Sequence, residues 1–221
     1  PPLQRSKMLV REQYLFFILL YPIFDYESKK IRSTEVDFFI TKHGIVTINP
    51  GNDCAPLITL YAALQRSPSS CESLLGKGVA PATHALLYTL ESAISPMLVH
   101  ISNDIDAAQK HLETDYERGT IFEILRIKDN IANVIKAIQG HKHVFEKLIE
   151  SSEPIFEITS LENRFHDLVE TSKENWDELD GYRAATNTLH ETNESLISFR
   201  VNEIMKTLTI FAVIVFPLTL I

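Results

Sequence analysis

Apolar residues change their spacing three times along this chain, and each change marks a different kind of element. Gln13–Tyr21 and Glu35–Thr41 are dense in Phe, Ile, Leu and Val, and Gly44–Asn49 follows a Lys42-His43-Gly44 turn. That pattern predicts three strands, the last two joined as a hairpin. Pro50-Gly51-Asn52 ends the sheet. Short helices are expected over Ala55–Gln65 and Cys71–Leu75, with Ser67-Pro68-Ser69-Ser70 as the loop between them.

From Pro81 the spacing becomes helical. Leu86, Leu90, Ile94, Leu98, Ile101 and Ile105 recur at three and four residues, and so do Ile121, Ile124, Leu125, Ile127, Ile131, Val134, Ile135 and Ile138. Two long helices are expected, Pro81–Glu117 and Thr120 to about Ser151, bent at Gly119 and packed as an antiparallel hairpin that buries both stripes. Pro154 suits the first turn of a third helix, which no strong stop signal ends. Continuous from Ile155 to the last residue, that helix would reach about 100 Å. Leu161, Phe165, Leu168, Leu179, Tyr182, Leu189 and Leu196 follow a 3.5-residue repeat, with Ser172, Asn175, Thr186 and Asn193 at the intervening positions. This is a polar-interrupted coiled-coil seam. Leu161–Leu179 is expected to pack on the preceding hairpin, and the wetter stretch toward Asn202 suits a helix lining a hydrated axis.

The last change is abrupt. From Leu208 to Ile221 there is no charge. Fourteen helical residues span about 21 Å, against roughly 30 Å of bilayer hydrocarbon, so the chain is expected to stop inside a membrane span. The fold class is therefore α+β: a small αβ module (1–80), a long helical hairpin (81–153), a stalk helix (154–207) and the start of a transmembrane helix (208–221). A polar, basic beginning without Met carries no secretory signal, and a piece of a longer protein is expected.

Charge sharpens the picture. Of the 29 acidic residues, twelve fall within 150–200 beside four basic ones, which accounts for the whole net charge of −8. Such a strip repels phosphate backbones and concentrates cations, so no nucleic-acid partner is expected. Cys54 and Cys71, seventeen apart, match neither a zinc framework nor a disulfide scaffold. His141 and His143 lie on different helical faces and read as surface histidines. No phosphate loop, nucleophile signature or convergent acid and base is present, so no enzyme is expected.

At 100° per residue, Asn202, Met205, Leu208, Ala212, Phe216 and Thr219 occupy roughly a 120° arc. In a symmetric ring of helices, that face would give an amide collar, an apolar constriction and a hydroxyl ledge. Contact with lipid or another helix is the plainer use of the same arc. Asn202-Glu203-x-Met205-Lys206-x-Leu208-Thr209-Ile210, followed by Pro217-Leu218-Thr219, resembles the start of the first transmembrane helix in CorA-family divalent-cation channels. The resemblance implies a homopentamer that passes Mg²⁺, or Co²⁺ and Ni²⁺, along its axis, with that arc lining the pore. It also implies a second transmembrane helix and an outer Gly-Met-Asn element beyond Ile221.

Arg164-Phe165-His166-Asp167 falls where such stalks carry an aspartate for a regulatory inter-subunit Mg²⁺, whose partner acid would precede Pro1. Glu191 and Glu194 sit two to three turns before Asn202, placed to draw cations to the pore mouth. Arg200 and Lys206 flank the apolar start, which puts the bulk of the chain on the cytoplasmic side of the cell inner membrane. A zinc transporter of the same superfamily and a tail-anchored coiled-coil scaffold are the alternatives.

Overall fold

The computed structural model describes residues 6–114, 118–153 and 155–218. Four strands form one antiparallel meander in the order β1-β2-β3-β4: β1 Lys7–Val10, β2 Tyr14–Asp25, β3 Lys30–Thr41 and β4 Gly44–Ile48. The sheet is larger than the apolar runs suggest. β1 is a four-residue edge strand, too short to show periodicity. β2 and β3 each extend to twelve residues through a tight turn that contains no Gly or Pro. Asp25 makes that turn, accepting from the Glu27 N–H (3.0 Å) and the Ser28 hydroxyl (2.7 Å), while Lys29 takes φ +53°.

Phe17 to Ile23 are seven successive buried residues, so both faces of β2 are covered there. Phe17 and Phe38, paired across β2 and β3, stack at 4.7 Å. The other end of the sheet is more open, with the cross-strand row Leu9, Phe16, Phe39, Val46 only partly covered.

Seven helices follow: α1 Ala55–Arg66, α2 Pro68–Leu75, α3 Val79–Ser92, α4 Ser95–Thr114, α5 Arg118–Ile138, α6 His141–Ser151 and α7 Glu162–Leu218. Asn49 locks the entry to α1. Its side-chain oxygen accepts from the Asp53 and Cys54 N–H groups, and its amide donates to Thr34 Oγ1 and the Glu35 carbonyl. The Ser67–Ser70 stretch, expected as a loop, instead starts α2, because the Ser67 hydroxyl accepts from the Ser70 N–H and Pro68 fits the first helical turn.

Each expected long helix is broken once. Pro96 has no N–H for the Ser92 carbonyl and its ring would clash there, so α3 stops at Ser92 and α4 begins at Ser95. Gly140 separates α5 from α6 where the chain passes Ser6 so closely that an added Cβ would lie 2.5 Å from the Ser6 Cβ. Gly119, expected as the bend, lies inside α5.

The third helix opens later than expected. Pro154 lies outside the described residues, and 155–161 are not helical. Ile155, Phe156 and Ile158 are each at most 8% exposed, and burying three large side chains outweighs continuing the helix. α7 then runs 57 residues, roughly 85 Å. It packs against α3, α4, α5 and α6. Phe165, Leu168, Ser172, Asn175, Leu179, Thr186, Leu189 and Asn193 are buried, so the heptad seam is real and is covered within the chain as far as Asn193, beyond the Leu179 limit expected.

Candidate functional site

Past Asn193 the neighbours of α7 end, while the helix continues. Eleven large apolar side chains between Phe199 and Phe216 are half or more exposed, among them Met205 (58%), Leu208 (57%) and Phe216 (72%). They point in every direction around the helix. A solvated helix keeps one polar face, so a segment apolar all round needs lipid or other helices about it. The Thr207 and Thr209 hydroxyls turn back onto the Glu203 and Met205 carbonyls at 2.9 and 2.8 Å, which satisfies them without water. No helix among the described residues is long and apolar enough to cross a membrane.

Asn202, Met205, Leu208, Ala212 and Phe216 all lie exposed on this segment, spaced along one strip of α7. Thr219 falls outside the described residues. Glu191 and Glu194 are also exposed, about 12–16 Å along the helix before Asn202. Glu194 pairs with His190 at 3.5 Å, a solvated contact of small worth. The Asn193 side-chain oxygen is buried without a hydrogen-bond partner among the described residues.

Asp167 is exposed near the start of α7, roughly 50 Å from Asn202, so the tail and this acid are separate places on one rod. It lies within electrostatic reach of His84 on α3. Burial holds the His84 pKa below its ordinary value, outweighing the Arg164 backbone hydrogen bond and the Asp167 charge, both of which raise it, while the Arg164 charge adds to the lowering. Among the described residues, no group of three or more His, Cys, Asp and Glu is gathered to hold a metal ion.

One polar cluster escaped the sequence. His141, expected at the surface, is 1% exposed and bonded to Glu91, also 1% exposed, while His143 is exposed as expected. Nothing in the spacing of Glu91 and His141, fifty residues apart, announces the pair. Asn175, the seam residue that reaches it, was visible as a polar interruption of the heptads.

Comparison with known proteins places this architecture. The family model described as CorA-like Mg2+ transporter protein matches residues 2–221. The cobalt/magnesium transport protein CorA of Thermotoga maritima is 25% identical over 224 residues, covering 99% of this chain and 61% of that protein. The chain thus spans about three-fifths of the curated relative.

Among solved structures, the complete CorA magnesium transporter of Methanocaldococcus jannaschii superposes with a TM-score of 0.78 at 17% identity, over 94% of this chain and 63% of that one. The full-length CmaX protein gives 0.78 at 15% identity, over 96% and 63%. The ZntB cytoplasmic domain of Vibrio parahaemolyticus gives 0.68 at 12% identity, over 89% and 75%. At those identities the likeness is one of fold. A family match over residues 2–221, on a chain of which 94% superposes on the Methanocaldococcus jannaschii CorA structure, means that this protein belongs to the CorA-like Mg2+ transporter family.

Proposed function

We propose that this chain is the cytoplasmic gating and regulatory part of a divalent-cation channel of the CorA type. Five copies surround an axis in the inner membrane, and Mg²⁺, with Co²⁺ and Ni²⁺ as further substrates, passes down the membrane potential without covalent chemistry. The observation that carries the reading is the continuity of α7. One helix is docked on the domain by its seam to Asn193 and is apolar all round from Leu208 onward.

In this reading Asn202 offers a carboxamide to a hydrated cation at the pore mouth. Met205, Leu208, Ala212 and Phe216 form the constriction, and Thr219 the ledge beyond it. An apolar ring of this kind gates by dewetting. Glu191 and Glu194 raise the local cation concentration. Asp167 contributes to an inter-subunit carboxylate site, where an empty site repels itself and a hard cation bridges it.

The test is ion entry into liposomes carrying the full-length gene product under an inside-negative potential. Potential-driven Mg²⁺ uptake is expected. Asn202→Ala should slow it about tenfold, the worth of one hydrogen bond near 1.4 kcal/mol. Leu208→Asp should raise it by wetting the constriction. Zn²⁺ entry in place of Mg²⁺ would assign the chain to zinc transport, and no movement of either ion would leave a membrane-anchored scaffold as the better account.

A further inference from the structure

Four elements meet at one buried polar cluster. Glu91 closes α3, His141 opens α6, Leu20 lies in the middle of β2, and Asn175 sits on the seam of α7. His141 Nδ1 is 2.5 Å from Glu91 Oε1, His141 Nε2 is 2.7 Å from the Leu20 carbonyl oxygen, and Asn175 Nδ2 donates to Glu91 Oε2 at 3.3 Å. Glu91 and His141 are each 1% exposed and Asn175 is 6% exposed.

The geometry dictates the protons. A carbonyl only accepts, so Nε2 carries a hydrogen. The short Nδ1 contact faces a carboxyl oxygen and therefore holds one more proton, shared between ring and carboxyl. With that proton the cluster is neutral as a whole and its principal contacts are satisfied. Without it, a bare carboxylate faces the lone pair of Nδ1 in a dry interior, an arrangement that admits water or moves apart.

The third bond gives the cluster a direction. Glu91, His141 and Leu20 belong to the sheet and its covering helices, whereas Asn175 belongs to the stalk. Of the four buried polar seam residues of α7, Asn175 is the one seen bonded to another element among the described residues. Thr186 returns its hydroxyl to the Tyr182 carbonyl, and the Asn193 oxygen has no partner there. Leu, Phe and Tyr seam contacts tolerate sliding and rotation. A single buried Asn with a fixed acceptor permits one register.

We propose that Glu91, His141 and Asn175 are positioning residues, a proton-dependent latch that fixes the rotation and tilt of α7 against the sheet domain. Its bearing on ion passage rests on the reading of α7 as the pore helix.

Burial alone would lower the His141 pKa, but the Glu91 carboxylate and the Leu20 carbonyl hold it above its ordinary value. A raised histidine pKa means that the latch is complete below the ordinary histidine range and is lost as pH climbs through the folded value. The other titratable groups here are Tyr21 of β2, within electrostatic reach of Glu91 and Cys54, and Cys54 itself, ahead of α1. Burial pushes the Tyr21 hydroxyl up and the Cys54 thiol to about 11, so both stay protonated at neutral pH. The Phe145 ring, 5.9 Å from the His141 ring, fills the remaining side.

The experiment needs only this chain, in detergent, with Cys71→Ser and nitroxide labels on Lys30→Cys and Ser195→Cys, both exposed positions. The distribution of distances between labels should be narrow at about pH 6 and widen severalfold, reversibly, as the pH is raised above the ordinary histidine range to the edge of the folded domain's stability. In Glu91→Gln with His141→Gln, the width should no longer depend on pH. In Asn175→Leu it should be broad already at the acid end, with circular dichroism of the folded domain retained. A width that stays constant across that range in the parent chain, or a narrow distribution in a folded Asn175→Leu, overturns the proposal. If a variant fails to fold, the titration of the parent chain decides alone. No ion movement is measured, so failure here leaves the channel reading standing, and failed ion uptake beside a clear pH response removes only that reading.

Discussion

Cys54 and Cys71 show how position sets the chemistry of one residue type. Cys54 precedes α1 at 0% exposure, its N–H held by Asn49, and burial raises its thiol to about 11. The thiolate is the reacting form, so this sulfur is both inaccessible and protonated at neutral pH. Cys71, on α2, is partly exposed. A disulfide reagent at neutral pH should therefore titrate one thiol quickly and the second only on unfolding. Two fast thiols in the folded chain would mean that the junction of β4 and α1 opens readily. The same residue-scale reasoning separates His141 from His143, two apart in sequence, one a buried member of a proton-sharing pair and the other in water.

At the scale of elements, the join between the sheet and the helical layer rests on asparagines. β4 pairs only with residues 37–41 of β3, which leaves the first half of β3 with an open edge. α5 covers its beginning. Asn130 accepts from the Ile31 N–H at 2.8 Å and donates to the Lys29 carbonyl, while Asn133 donates to the Ile31 carbonyl at 2.9 Å. Asn130 is 1% exposed, so Asn130→Ala strands the buried Ile31 N–H, whereas the Lys29 carbonyl keeps its bond from Arg126. The expected loss is about 1–3 kcal/mol in chemical denaturation, with little change in the dependence on denaturant. A loss within a few tenths of a kcal/mol would mean that β3 is held by its strand partners alone. Neither asparagine was legible beforehand, because a polar residue on a helical stripe reads as solvated unless its partner a hundred residues away is known. What could be read was local: the 3.5-residue seam of α7, the strands around Phe17 and Phe38, and the apolar end after Lys206. The break at Gly140 and the late start of α7 depended on tertiary packing, which spacing alone does not encode, whereas the break at Pro96 is local proline chemistry hidden under the unbroken stripe Leu90, Ile94, Leu98.

The whole molecule divides into a docked part and an undocked one along a single helix. Up to Asn193 the seam of α7 is buried against its own chain, and from Phe199 on it touches little. Stability and membrane affinity should therefore be separable by truncation. A chain ending at Arg200 keeps the whole buried seam, so its melting temperature should match that of the parent within a degree or two. A ΔΔG of 1 kcal/mol would shift it by about 2–4 °C at this size. The same cut removes ten of the eleven exposed large apolar side chains, all but Phe199. Each buried apolar side chain contributes on the order of 1.5 kcal/mol or more when it leaves water. The parent chain should therefore float with lipid vesicles and the truncated one should stay in solution, at any salt concentration, since the removed segment acts through apolar area rather than charge. Equal flotation of the two would place membrane affinity in the rest of the chain, where Leu9, Phe39 and Val46 are among the exposed apolar side chains, and would break the link between the exposed end of α7 and the bilayer.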